Sequence, residues 1–154
     1  MALCAALTFG LAASGPAAAG PFGEFTGSWS GNGTIRPQDG SAERIRCNAT
    51  YKPQGANDLN ARLKCASASY NFDLTAELTA DGSNAISGRW TENSRGIGGS
   101  VVGNARSDHM QVHVESSGFA ATLVLMMKGS RQDVALDSHG GGQVINASIT
   151  MNRR

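Results

Sequence analysis

Between Glu43 and Ala66, two runs of alternating apolar and polar residues mirror one another about Ala56, and each carries a cysteine at the matching place. Ile45, Cys47, Ala49 and Tyr51 form the apolar series of the first run. Leu59, Ala61, Leu63 and Cys65 form that of the second. A period of two is that of a β-strand with one buried face, and two such runs joined by a short polar segment read as a hairpin. Folding about Ala56 sets Cys47 opposite Cys65, Ala49 opposite Leu63 and Tyr51 opposite Ala61, all on the apolar side. The pattern and the sulfurs therefore specify one register, with a Cys47–Cys65 disulfide across it.

A disulfide requires an oxidising compartment, and the start of the chain supplies a route to one. Residues 1–19 carry no charged side chain, and an apolar run through Leu3, Leu7, Phe9 and Leu11 leads to Ala17, Ala18 and Ala19. This is the pattern of a secretory signal peptide ending near Ala19, too short for a membrane span. Cys4 is expected to leave with it. Residues 20–154 are then a single domain in size, expected in a bacterial periplasm or outside the cell. The net charge of +1 leaves no electrostatic footprint for nucleic acid or an anionic membrane.

The rest of the mature chain repeats the same period. Phe25 to Arg36 reads as a first strand broken by Gly27, Gly31 and Gly33. Tyr70 to Leu78 and Ala85 to Glu92 alternate cleanly. A glycine-rich strand runs through Gly98 to Gly103, followed by Met110 to Val114, Phe119 to Lys128, Arg131 to Asp137 and Ile145 to Met151. No helical period is sustained, and turn residues recur every 8 to 12 positions, as in an all-β barrel or sandwich. Short turns favour an antiparallel up-and-down meander of 8–10 strands, which closes into a small barrel to remove its edges. Phe119 to Lys128 is apolar on both faces, which fits a covered outer face or a homo-oligomer interface.

Phe25-Thr-Gly-Ser-Trp29 and Ile86-Ser-Gly-Arg-Trp90 share one pattern, and Arg153 and Arg154 end the last strand. A Gly-x-Trp on the first strand resembles the calycin superfamily, the barrels of lipocalins and avidins. The resemblance implies that Arg153 or Arg154 caps Trp29 across the seam between first and last strands. Ten apparent strands rather than eight, and the lack of a long first loop, depart from the lipocalin pattern. Over the whole mature region the chain is also similar to small uncharacterised exported proteins of proteobacteria.

Catalytic constellations are not apparent. His109 and His113 share a strand face at a separation of roughly 13 Å, too far for one metal, and read as solvated. His139 sits beside a glycine run and reads as a loop residue. No Gly-x-Ser-x-Gly or phosphate loop occurs, so neither an enzyme nor a cofactor is expected. Inward residues, with Trp29, Trp90, Tyr51 and Tyr70 foremost, either fill the barrel or line a cavity for a small apolar ligand. Small inward positions at Ala49, Ala61, Gly88 and Gly99 leave room, and Trp90 is the position expected nearest an opening. The functional expectation is an exported, non-catalytic binding module. The alternatives are a protein-interaction or protease-inhibitor barrel presenting Gly20 to Glu24, or a structural envelope component.

Overall fold

The computed structural model describes residues 20–140 and 144–154; the expected signal peptide and part of the Gly140–Gly142 turn lie outside the described residues. Ten antiparallel strands follow a short 3-10 turn, Gly23–Phe25: β1 (Gly27–Pro37), β2 (Glu43–Pro53), β3 (Asp58–Ala66), β4 (Asn71–Ala80), β5 (Ala85–Glu92), β6 (Ile97–Arg106), β7 (His109–Ser116), β8 (Phe119–Lys128), β9 (Arg131–Gly140) and β10 (Val144–Arg153). Each pairs with its neighbours in sequence, and β1 pairs with β10 to close the barrel. Closure satisfies the outer ladder of both end strands, so the sheet has no free edge. No helix among the described residues is long and apolar enough to cross a membrane.

The β2–β3 hairpin has the register read from its alternation: Cys47 faces Cys65, Ala49 faces Leu63 and Tyr51 faces Ala61. Cys47 and Cys65 are disulfide-bonded, and both sulfurs point into the core, where these residues are almost fully buried.

The first strand starts later than its sequence suggests. Phe25 closes the 3-10 turn instead of opening β1. The cause is Gly27, whose φ of +122° reverses the chain between turn and strand, a conformation that side-chain-bearing residues avoid. The turn folds under one end of the barrel and buries Phe22 and Phe25, with Phe25 edge-on to Tyr51 at 6.5 Å. Strand β9 is longer than expected, and His139 belongs to it, paired with Ala120 of β8.

One further expectation is corrected. Gly88 and Gly99 do not leave room in the barrel: a Cβ at Gly88 would lie 2.0 Å from the Glu77 carbonyl oxygen, and one at Gly99 would lie 1.6 Å from that of Glu115. They are glycines because the coiled sheet brings the neighbouring backbone against them. The outer face of β8 does carry apolar side chains, with Val124 half-buried and Met126 exposed beside Thr122.

Candidate functional site

The barrel has one plugged end and one open end, and the difference begins in the first strand. Trp29 is 1% exposed, and its indole Nε1 donates to the Phe25 carbonyl at 2.9 Å, tying the plug to β1. The Arg153 guanidinium stacks on the indole, 4.2 Å from the ring centroid. Its Nη2 donates to the Glu24 carbonyl at 2.9 Å and its Nη1 to the Thr26 carbonyl. Arg153 thus joins the last strand, the first strand and the plug, while Arg154 hydrogen-bonds Asn48 of β2. A side chain at Gly27 would meet the Arg153 Nη1 at 2.9 Å. The glycine of Gly-x-Trp therefore serves both the chain reversal and the arginine.

Above the plug lies a polar pair. The Tyr51 hydroxyl donates to the Gln132 Oε1 at 3.2 Å, and Gln132 Nε2 points at the Met127 sulfur, 3.4 Å away. Gln132 is 0% exposed. Burial raises the Tyr51 hydroxyl pKa far above the ordinary tyrosine value, and the Gln132 bond offsets this only in part.

Over this floor is a cavity of about 500 Å³, within the usual range for small-molecule sites. Tyr51, Leu59, Met110 and Met151 line its base, and Leu63, Leu74, Val114, Leu123 and Leu136 its walls. These wall residues point at the barrel axis yet are only half-buried. The surface they leave uncovered faces the cavity, so the core is filled at the plugged end and hollow above.

The lining continues to Ser116 at the end of β7, to the turn residues Ser117 and Gly118, to Gly140 and to Arg95, which places the mouth at the opposite end from the plug. Aromatic rings stand near it. Tyr70 and Phe72 stack in parallel with centroids 6.3 Å apart. Trp90 lies 6.0 Å from Phe119 and donates its Nε1 to the Glu115 carbonyl at 3.2 Å.

Of the four residues expected to contact a ligand, Tyr51, Tyr70 and Trp90 line the cavity: Tyr51 at its base, Tyr70 and Trp90 toward its mouth. Trp29 does not. It is packed between the plug and Arg153, where its stacking and hydrogen bond close the barrel end. The Gly20 to Glu24 segment, which the protease-inhibitor alternative would offer to a partner, is folded under the barrel through Phe22, 3% exposed.

Sequence reasoning overlooked the charged pair at the mouth. Glu92 is 3% exposed. Its carboxylate accepts from the backbone N–H groups of Asp73 at 3.0 Å, Ser94 at 3.3 Å and Arg95 at 2.8 Å. Burial works to raise its pKa, but the N–H donors of Asp73, Arg95 and Ser94 outweigh burial and hold the carboxyl below the ordinary glutamate value. Arg95 pairs with it at 3.3 Å, donates Nη1 to the Asn71 carbonyl at 3.0 Å, and lies over the Phe72 ring at 5.6 Å. The missed signal was alternation itself: Glu92 and Gln132 fall in inward positions of otherwise apolar series.

The histidines lie on the outer face. His113 bonds Thr122 through Nδ1 at 3.2 Å and Glu115 through Nε2 at 3.0 Å. His109 departs from the solvated reading, since its Nε2 is buried without a hydrogen-bond partner among the described residues. No cluster of metal-ligating side chains occurs among the described residues.

No protein-family model and no curated protein matches the chain. Among solved structures it is similar to Rv2717c from M. tuberculosis, with a TM-score of 0.67 and 13% identity over 85% of this chain and 93% of that one. It is similar also to the S-type phycobiliprotein lyase CPES from Guillardia theta, with a TM-score of 0.61 and 12% identity over 86% and 89% of the two chains. A redesigned β barrel, mFAP0, bound to DFHBI, aligns with a TM-score of 0.50 and 12% identity over 84% of this chain and 99% of that one. At such identities the likeness concerns the fold alone.

Proposed function

We propose that the protein is an exported, non-catalytic binding module that holds a small, largely apolar ligand inside its barrel. The observation that carries this reading is the half-buried state of Leu63, Leu74, Leu123 and Leu136, which point inward around a cavity of about 500 Å³. A purely structural barrel gains stability by filling that space, since apolar surface left uncovered forgoes roughly 25 cal/mol per Å². Of the similar barrels, one is named a phycobiliprotein lyase and another is bound to DFHBI, which supports a ligand-holding role for the interior. Export is supported by the Cys47–Cys65 disulfide and by the signal-like residues 1–19.

Titration with the neutral apolar fluorophore N-phenyl-1-naphthylamine tests the cavity. Saturable binding that quenches Trp90 is expected, and the enlarged side chain of Ala76→Phe, on the cavity wall, should abolish it while the variant remains folded. Absence of saturable binding, or unchanged binding by Ala76→Phe, overturns the reading. Export is tested separately by the N-terminal sequence of the protein recovered from the periplasm or medium, expected to begin at Gly20.

A further inference from the structure

We infer that the ligand is an amphiphile with a carboxylate head group, its apolar body in the barrel and its head on Arg95 at the mouth. This rests on the proposed cavity reading and adds the chemistry of its entrance.

Charged residues on the cavity wall are few: Glu92, Arg95 and Arg62. Arg62 is committed elsewhere, holding both carboxylate oxygens of Asp73 through Nε at 3.2 Å and Nη2 at 3.0 Å. Glu92 is saturated by three backbone N–H groups and by Arg95. A cationic head group would find no carboxylate on the cavity lining that is not already engaged.

Arg95 differs. Both of its polar contacts, to the Asn71 carbonyl and to Glu92, use Nη1. That leaves Nε and Nη2, the two N–H groups on one edge of the guanidinium plane, without a protein partner among the described residues. This edge is the fork that receives a carboxylate in the side-on bidentate mode, the same edge by which Arg62 holds Asp73. The Nη1 contacts and the Phe72 ring beneath fix the plane in advance, so little ordering is required when an anion arrives. Glu92 acts as a positioning residue, since its bonds to the Ser94 and Arg95 N–H groups hold the turn that carries Arg95. The wall below is aliphatic, through Leu63, Leu74, Leu123 and Leu136, which suits a hydrocarbon chain.

Displacement of N-phenyl-1-naphthylamine from the full mature protein by dodecanoic acid, dodecanol and dodecylamine at one neutral pH is the test. The acid should compete at least about tenfold better than the alcohol or the amine, in line with one charge-assisted bidentate contact at a half-exposed site. Arg95→Gln should remove that advantage and leave the alcohol unchanged, while Arg95→Lys should keep part of it. Equal competition by acid and alcohol, or an acid preference that survives Arg95→Gln, overturns the head-group assignment but leaves the cavity intact. Failure of the fluorophore itself to bind overturns both. Should Arg95→Gln fail to fold, the acid-to-alcohol ratio of the unaltered protein and the Lys variant still decide.

Discussion

Arg153 stacks on Trp29 across the seam of the barrel, 4.2 Å from the ring centroid, and its Nη1 lies where a side chain at Gly27 would stand. Arg153→Ala removes a cation–π contact worth roughly 0.5 to 2 kcal/mol along with two hydrogen bonds to the plug. Denaturant unfolding should show a loss of about 1 to 2 kcal/mol. Gly27→Ala should cost at least as much, because the added carbon meets both an unfavourable φ of +122° and the guanidinium. A neutral outcome for both substitutions would contradict the proposed seam.

The disulfide closes a loop with a sequence separation of 18 residues. In the chain-entropy view a loop of this size is worth about 3 kcal/mol, within a range of roughly 2 to 5 for native secreted domains. Replacing Cys47 and Cys65 together by Ala should lower the melting temperature, and reductant should move the unaltered protein toward the same value. Coincident melting curves with and without reductant would show that the bridge contributes nothing.

Tyr51 and Gln132 form a buried pair whose halves depend on each other. Tyr51→Phe leaves the Gln132 oxygen without its donor and should cost about 1 to 3 kcal/mol. Adding Gln132→Met removes the orphaned acceptor as well, so the double variant should recover part of that loss. A double-mutant cycle with no coupling would mean that the hydroxyl and the amide do not support each other.

The depressed pKa of Glu92 links stability to acid. Its folded-state value lies below the ordinary glutamate value, which is about 4.3 in an unfolded chain. The associated stability is fully present above that pH and is lost as the pH falls toward the folded-state value. The melting-temperature gap between the unaltered protein and Glu92→Gln should be widest near pH 6 and narrow below about pH 4.3. A gap independent of pH would remove Glu92 from the acid response.

Much of this architecture was legible because alternation and turn residues agree along the chain. The β2–β3 register was doubly specified, by the apolar series and by Cys47 and Cys65. The residues that escaped are those whose role depends on a third element. Phe25 reads as the start of a strand until Gly27 is seen to reverse the chain. The Arg153 cap on Trp29 was implied by the Gly-x-Trp resemblance; what escaped is that the capped indole, tied also to the Phe25 carbonyl, closes the barrel end instead of lining the cavity. Arg95 sits in a short polar turn, and only the barrel brings Phe72 and Asn71 of β4 beneath it. Local pattern specifies which face a side chain takes; it does not specify which end of a cylinder is sealed.

That the opening strand is zipped to the final one, with Trp29 beside Arg153, fixes when this protein can exist in its finished form. Every hairpin from β2 to β9 can form as it is synthesised, but β1 must wait with one flank unsatisfied until β10 has been made. Removal of Arg153 would therefore loosen the plug while most of the β1–β10 ladder stays paired, whereas loss of β10 as a whole would leave the barrel open.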